Sequence, residues 1–291
     1  MKITGSTKVL CIFGDPVAHS LSPVMHNAAF AALGLDMVYV PFHVPCSPPG
    51  ALKKAVAAIR ALNIHGLNAT IPHKEKVMRL LDEVDPHAEA VGAVNTIVNR
   101  RGRLVGYNTD GAGYLEGLKR EAGLAPRGKN VVVIGAGGAA RSILYSVLLK
   151  RPRSVVVVNR TLKRAKALAG EFSEKLSVEV GAAPLDGKAL RAYAEGAHLV
   201  VNTTSVGMNG RGEPDFPVDA LPAGAVVSDI VYAPLETAFL KRAKARGLKT
   251  HNGLSMLVHQ GAVGFKLWTG RKAPVDVMRQ AALEALGKRG G

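Results

Sequence analysis

From residue 128 the chain reads "GKNVVVIGAGGAARSILYSVLLK": a short apolar run, Val131 to Ile134, then small residues, then a stretch with apolar positions at helical spacing. A continuous apolar run bounded by glycines predicts a buried strand, and the 3.6-residue period after it predicts an amphipathic helix. Strands are expected again at "SVVVV" (154–158), "HLVVNTT" (198–204) and "AVVSDIVY" (225–232), with helices between and after them. Alternation of this kind predicts a doubly wound parallel sheet, whose ligands lie beyond the carboxyl ends of the strands.

The first half is less regular. "KVLCIFGDP" predicts a strand ending in a turn, and in "HSLSPVMHNAAFAALG" Ser22 is expected as N-cap, Pro23 as the first helical residue and Gly34 as the stop. Further strands are expected near 37–43, 64–70, 94–99 and 103–107, the last two joined by a hairpin at Arg101-Gly102. The fold class is therefore α/β, with two α/β domains. In "GLNATIPHKEKV" (66–77) an apolar strand runs into Asn68 and Thr70, and Pro72 is expected to open a helix. That places Lys74 in a first helical turn, where the macrodipole disfavours a cation. An amine kept there asks for a chemical reason.

Composition changes this picture little. A chain of 291 residues, 47% apolar and 21% charged, has the length and make-up of two globular domains. No apolar run approaches the roughly 20 residues that span a bilayer, and "MKITGSTKVLCIFG" lacks the apolar core of a signal peptide, so the cytoplasm is the expected compartment and no membrane partner is expected. Cys11 and Cys46 are the only cysteines and are expected as buried small hydrophobes. The nine histidines show no ligand spacing with a carboxylate, so no metal is expected. A net charge of +16 and a pI near 10.0 raise a polyanion reading. The basic residues, however, fall in small scattered groups such as "RRGR", "KRPR" and "KRAKAR", with no aromatic-and-basic module, so no specific nucleic-acid partner is expected. A ligand rich in phosphate or carboxylate accounts for part of the charge.

Candidate chemistry adds more. Gly135, Gly137 and Ala140 fill the G-x-G-x-x-G/A pattern between a strand and a helix. The first allows a tight turn, the second lets a pyrophosphate approach the backbone, and the small third position lets helix and strand pack closely. The strand after it ends in "NRTLKRAKAL", where an acidic residue would bond ribose hydroxyls and a cation would accept a 2′-phosphate. Arg160 and Arg164 therefore favour NADP over NAD, and Thr161 is expected to cap the following helix. Asn202, Thr203, Thr204 and Ser205 end one strand and Asp229 to Tyr232 another, and both groups are expected at the nicotinamide end. In the first half, Ser20, Ser22, Asn68, Thr70, Asn95, Thr96, Asn108, Thr109 and Asp110 lie at strand ends and turns. Such groups suit a ligand with several hydroxyls and a carboxylate, and each alone equally suits a cap or a turn.

Taken together, "AHSLSP", "GLNATIPHK", "GAVNT", "GYNTDG", "GAGGAAR", "NRT", "NTTSVGM", "DIVYAP" and "GLSMLVHQ" resemble, in order and spacing, the shikimate dehydrogenase family over nearly the whole chain. The first four blocks are specific to that family; the glycine turn is shared by many oxidoreductases. Ala69 departs from the family's usual valine, a packing change on a strand. The resemblance implies that Ser20 and Ser22 bind the substrate carboxylate, that Asn68, Thr70 and Asn95 hold ring hydroxyls, and that Lys74 and Asp110 are the catalytic pair. Tyr232 and Gln260 would close over the substrate from the other side. Cofactor contacts would come from Gly135, Ala136, Gly137, Gly138, Ala139, Asn159, Arg160, Thr161, Arg164, Thr203, Ile230 and Gly253. The implied reaction is reversible hydride transfer between NADPH and 3-dehydroshikimate, giving shikimate, in aromatic amino-acid biosynthesis. A lysine ammonium beside the ketone oxygen would stabilise its developing charge and supply the proton.

The expected domains are 1–111 plus 254–291 for substrate and catalysis, and 112–253 for NADP, with Gly111 and Gly253 as hinge candidates. Two amphipathic C-terminal helices are expected after "THNGLSMLVHQGAVGFKLWTG", packed back on the first domain. Two rival readings stay open: a relative that oxidises quinate or uses NAD, and a cofactor-sensing binding protein without the chemistry. A monomer or a homodimer is expected.

Overall fold

Alternation in "KVLCIFG" becomes strand β1 (Lys8–Gly14) in the computed structural model, which describes residues 3–288. Cys11 and Phe13 enter one apolar cluster, and Leu10 and Ile12 are buried on the opposite face, as the period of two requires. Next come α1 (Ser22–Ala32), β2 (Met37–His43), α2 (Ala51–Ala61), β3 (Gly66–Ala69), β4 (Glu83–Val84) and α3 (Pro86–Val91), then the hairpin β5 (Thr96–Arg100) and β6 (Arg103–Tyr107). They form a mixed six-stranded sheet in the order β2-β1-β3-β5-β6-β4; β1 is parallel to β2 and β3, and β5 is antiparallel to β3 and β6. The hairpin turns where expected, through Arg101 (φ 55°) and Gly102 (φ 91°), the positive-φ pair that a two-residue turn matched to strand twist demands.

The second sheet explains its own sequence pattern. After α4 (Asp110–Gly117) come β7 (Asn130–Ile134), α5 (Gly138–Leu148), β8 (Ser154–Asn159), α6 (Leu162–Leu176), β9 (Gly181–Pro184), α7 (Gly187–Glu195), β10 (Leu199–Asn202), β11 (Val226–Asp229), α8 (Ala238–Ala245) and β12 (Lys249–His251). All six strands are parallel, in the order β12-β11-β10-β7-β8-β9. Val131 and Val133 face a cluster with Ile143, Leu144 and Phe172, while Val132 and Ile134 face Phe239 and Leu240. Both faces are covered, so the strands read as unbroken apolar runs rather than alternations. The order reverses between β7 and β10, the switch point where such sheets bind ligands. Two last helices, α9 (Gly253–Thr269) and α10 (Val275–Gly287), end the chain, with α10 packed on α1. By contacts the chain divides into two units, residues 1–110 with 258–291 and residues 111–257.

Several local expectations are corrected. No helix opens at Pro72: residues 72–76 form turns, followed by a 3-10 turn at Val77–Leu80. Ser22 is the first residue of α1 rather than its cap; Leu21 holds the cap position and Ser20 Oγ accepts the Ser22 N–H at 3.2 Å. Thr161 occupies the N-cap of α6 but its side chain makes no capping bond. Cys11 is buried, its thiol pushed up by desolvation, whereas Cys46 is exposed. "GLSMLVHQGAVGFKLWT" is itself α9, so one helix follows it instead of two. Among the described residues no helix is long and apolar enough to cross a membrane, and no group of three or more His, Cys, Asp or Glu is placed to hold a metal ion.

Candidate active site

Lys74 and Asp110, 36 positions apart, meet in the first unit: Lys74 Nζ donates to Asp110 Oδ2 at 2.5 Å. The pair is sheltered, with 15% and 4% of the two side chains exposed. Two local features bring it together. The turn after β3 is tied to the chain before β5 by the Val94 N–H to Lys74 carbonyl bond (2.8 Å), and His73 Nε2 anchors the same turn by donating to the Val44 carbonyl at 2.7 Å. Asp110 is the first residue of α4, so a helix N-terminus lies under the carboxylate, where the dipole favours negative charge. The dipole penalty expected for Lys74 is thus absent, and the dipole instead supports its partner.

Asn95 joins this pair to the rest of the network. Its Nδ2 donates to Asp110 Oδ1 (2.8 Å) and is shared with Thr109 Oγ1 (3.0 Å) and Gln260 Oε1 (3.3 Å), the last on α9. Its Oδ1 accepts from the Thr109 N–H (2.8 Å) and Thr96 Oγ1 (3.0 Å). Asn108 braces the corner: its Nδ2 donates to the Ala93 carbonyl and its Oδ1 accepts the Asp110 N–H. Asn68 Nδ2 donates to the Asn95 carbonyl (2.9 Å) and to Thr96 Oγ1 (3.1 Å). Thr70 follows on the same strand end; its N–H is bound to the Phe13 carbonyl and its methyl lies against Gly14. Ser20 and Ser22 lie at the start of α1, where the first-turn N–H groups are available to an anion. Lys74, Asp110, Asn95, Gln260 and Asn68 therefore share one bonded network, and Thr70 joins the strand rather than that network.

In the second unit the glycine turn is built for close approach. Gly135 has φ +115°, and a Cβ there would come within 2.6 Å of Thr203 Oγ1 and 2.9 Å of Thr204 Cγ2, so only glycine fits. A Cβ at Gly137 would meet nothing within 4 Å, which leaves an open face beside Ala136, Gly138 and Ala139 at the start of α5. The first N–H groups of that helix have no intrahelical acceptor and can receive a pyrophosphate. At the end of β8, Asn159 Nδ2 holds the Thr161 carbonyl (2.9 Å) and Arg164 Nη2 reaches the Ala136 carbonyl (3.3 Å), which ties the basic segment to the turn. Arg160 is exposed and has no charged partner among the described residues. Arg141, the last residue of "GAGGAAR", is bound bidentately to Glu171 at 2.8 and 2.5 Å. The residues present fit a dinucleotide with a 2′-phosphate.

The other strand ends are braces. Thr203 Oγ1 donates inward to the Ile134 carbonyl at 2.6 Å. Asn202, fully buried, donates to Asp229 Oδ1 (2.9 Å) and accepts from Thr204 Oγ1 (2.7 Å). Asp229 also accepts from Thr237 Oγ1 and the Val231 N–H, yet burial pushes its carboxyl up to about 6. Ile230 and Tyr232 follow β11, and Tyr232 is half-buried in this unit. A Cβ on Gly253 would overlap the Ile230 carbonyl, and one on Gly111 would overlap Ser146 Oγ. Close packing accounts for both glycines. Sequence reasoning missed Tyr39, whose hydroxyl donates to Asn68 Oδ1 at 2.5 Å; on an alternating strand it reads only as core.

Comparison with known proteins agrees with this geometry. Residues 12–97 match the family model described as shikimate dehydrogenase substrate binding domain, residues 118–207 that of shikimate/quinate 5-dehydrogenase, and residues 253–283 that of the shikimate 5'-dehydrogenase C-terminal domain. A shikimate dehydrogenase (NADP+) of Symbiobacterium thermophilum is 51% identical over 97% of this chain and 96% of its own. A solved shikimate dehydrogenase in complex with NADP+ superposes with a TM-score of 0.91 at 43% identity, over 98% of each chain. The Thermus thermophilus shikimate 5-dehydrogenase solved with NADP(H) and shikimate gives 0.85 at 40% identity, over 96% of this chain and 99% of that one. Sequence, fold and bonded site thus agree that this chain belongs to the shikimate dehydrogenase family.

Proposed function

We propose that the chain catalyses the reversible NADP-dependent interconversion of 3-dehydroshikimate and shikimate in aromatic amino-acid biosynthesis. The observation that carries this reading is the sheltered Lys74–Asp110 pair bonded through Asn95 to a network of amides and hydroxyls. Unit 1 binds the substrate and unit 2 the cofactor, with Gly135 to Ala139 around the pyrophosphate and Asn159, Arg160, Thr161 and Arg164 around the 2′-phosphate. Thr203, Ile230 and Gly253 shape the backbone around the remainder.

NADPH, held by those residues, would supply a hydride for the carbonyl carbon. Negative charge then builds on the ketone oxygen, and the Lys74 ammonium stabilises it and donates the proton that completes the hydroxyl. In the oxidative direction Lys74 takes that proton back. Asp110 holds the amine in place. Asn95 fixes the other carboxylate oxygen, so Asp110 cannot rotate away from the amine. Ser20 and Ser22 donate to the substrate carboxylate, and Asn68, Thr70, Asn95 and Gln260 select ring hydroxyls.

A second reading concerns breadth. Nothing in "SLSP" excludes quinate, whereas Arg160, with no charged partner among the described residues, favours NADP over NAD. An absorbance assay at the NADPH band, with shikimate or quinate against NADP or NAD, separates the possibilities. Reduction only with shikimate and NADP is expected. Equal rates with quinate would make the chain a broader relative, and no reduction in any arm would leave a cofactor-binding protein.

A further inference from the structure

We propose that Tyr39 is a positioning residue for the substrate, acting through Asn68. The proposal rests on the functional reading above and adds a residue to it. The bonding pattern permits only one arrangement of this corner. The Asn95 backbone carbonyl is an obligate acceptor, so the Asn68 side chain must turn its NH2 toward it. Thr96 Oγ1 gives its proton to Asn95 Oδ1 and therefore accepts the second Asn68 proton. Both Asn68 donors are then used, and its Oδ1 faces the Tyr39 hydroxyl at 2.5 Å. The phenol has one proton and must donate it there. One buried hydroxyl thus fixes the orientation of a residue assigned to a ring hydroxyl. Asn68 keeps a single free lone pair, on Oδ1, with which to accept a substrate hydroxyl.

The ring that carries this hydroxyl is fixed from every side. Asn27 clamps the Tyr39 backbone, its Nδ2 donating to the carbonyl (2.9 Å) and its Oδ1 accepting the N–H (2.8 Å). His26 stacks on the ring at 4.7 Å between centroids and 22° between planes, and Trp268 leans on it at 6.0 Å. His26 is fully buried and neither ring nitrogen has a hydrogen-bond partner among the described residues. Burial holds its imidazole down at about 3, so at neutral pH it stacks as an uncharged ring. Burial also raises the Tyr39 phenol well above its ordinary value, which keeps it a proton donor. An asparagine held by three oriented partners presents its lone pair in one direction and binds without first losing rotamer freedom.

The test is a double-mutant cycle on steady-state kinetics with Tyr39→Phe, Asn68→Ala and the pair. Tyr39→Phe keeps the stacked ring and removes only the hydroxyl. It should raise KM for shikimate roughly tenfold, as expected for a lost buried hydrogen bond, with kcat within about threefold and KM for NADP unchanged. The double variant should show the KM of Asn68→Ala within about twofold, because Tyr39 acts only through Asn68. Asn68→Ser replaces Asn68→Ala if that variant is too unstable to assay. An unchanged shikimate KM in Tyr39→Phe, losses that multiply in the double variant, or a parallel rise in the NADP KM would each overturn the proposal. A wild-type chain inactive on shikimate would instead sink the functional reading on which it rests.

Discussion

The polar groups of the first unit's site are bonded to one another, and those of the glycine turn in the second are kept open. Lys74, Asp110, Asn95, Thr109, Gln260 and Asn68 are joined by hydrogen bonds in one network before any substrate arrives. At the turn, by contrast, a side chain at Gly137 would meet nothing, and Arg160 has no charged partner among the described residues. A site that must direct one proton needs its acid oriented in advance, because reorientation during the reaction would add to the barrier. A site for a diphosphate needs only backbone N–H groups and unspent cations, since the ligand brings the charge that organises them.

The comparison breaks first if the network can be cut at Lys74 without loss. Lys74→Met keeps the aliphatic stem and removes charge and proton, so kcat for shikimate oxidation should fall on the order of 100-fold or more. On the open side, Arg160→Asp replaces a phosphate partner with a repelling carboxylate and should raise the NADP Kd roughly 10- to 100-fold, with NAD much less affected. NADP affinity that survives, measured by titration, would remove Arg160 from the 2′-phosphate.

Asp229 sharpens the contrast, because it is a brace rather than a ligand. Burial pushes its carboxyl up to about 6, above the ordinary carboxylate range, so the fold favours the protonated form. Its contribution to stability is complete below about pH 4 and is lost as pH rises through about 6. Asp229→Asn should abolish that slope, gaining on wild type between pH 4 and 7 by on the order of 2 kcal/mol, at about 1.4 kcal/mol per unit. Denaturant midpoints at the two pH values check it, and an equal gap at both would contradict it. Ser20→Ala should have the smallest effect, a several-fold rise in shikimate KM with kcat nearly unchanged, because a contact remote from the ketone is made equally in ground and transition states.

The parts legible in the sequence were those set by local rules. The βα turn at Gly135, the parallel valine strands and the Arg101-Gly102 hairpin follow from short-range sterics and burial, and all three occur as expected. The pairing of Lys74 with Asp110 crosses 36 positions, and no period or spacing encodes it; it entered through family resemblance. The helix expected at Pro72 failed because tertiary bonds set that segment: His73 is tied to Val44, and Asp82 accepts from Leu104 N–H and Arg60. Tyr39 was invisible for the opposite reason. Its ring satisfies the strand's apolar pattern so well that its hydroxyl leaves no trace in the sequence.

The account's central claim is that Lys74 and Asp110 act as one unit at the end of a bonded network. A cycle of Lys74→Met, Asp110→Asn and the double variant, read by steady-state kcat with shikimate alongside a direct NADP titration, tests it. Each single variant should lose on the order of 100-fold or more, the double variant should lose little beyond the worse single one, and NADP should bind all three within about twofold of wild type. Losses that multiply in the double variant, or a Lys74→Met protein that binds NADP and turns over shikimate at near wild-type rate, would contradict it.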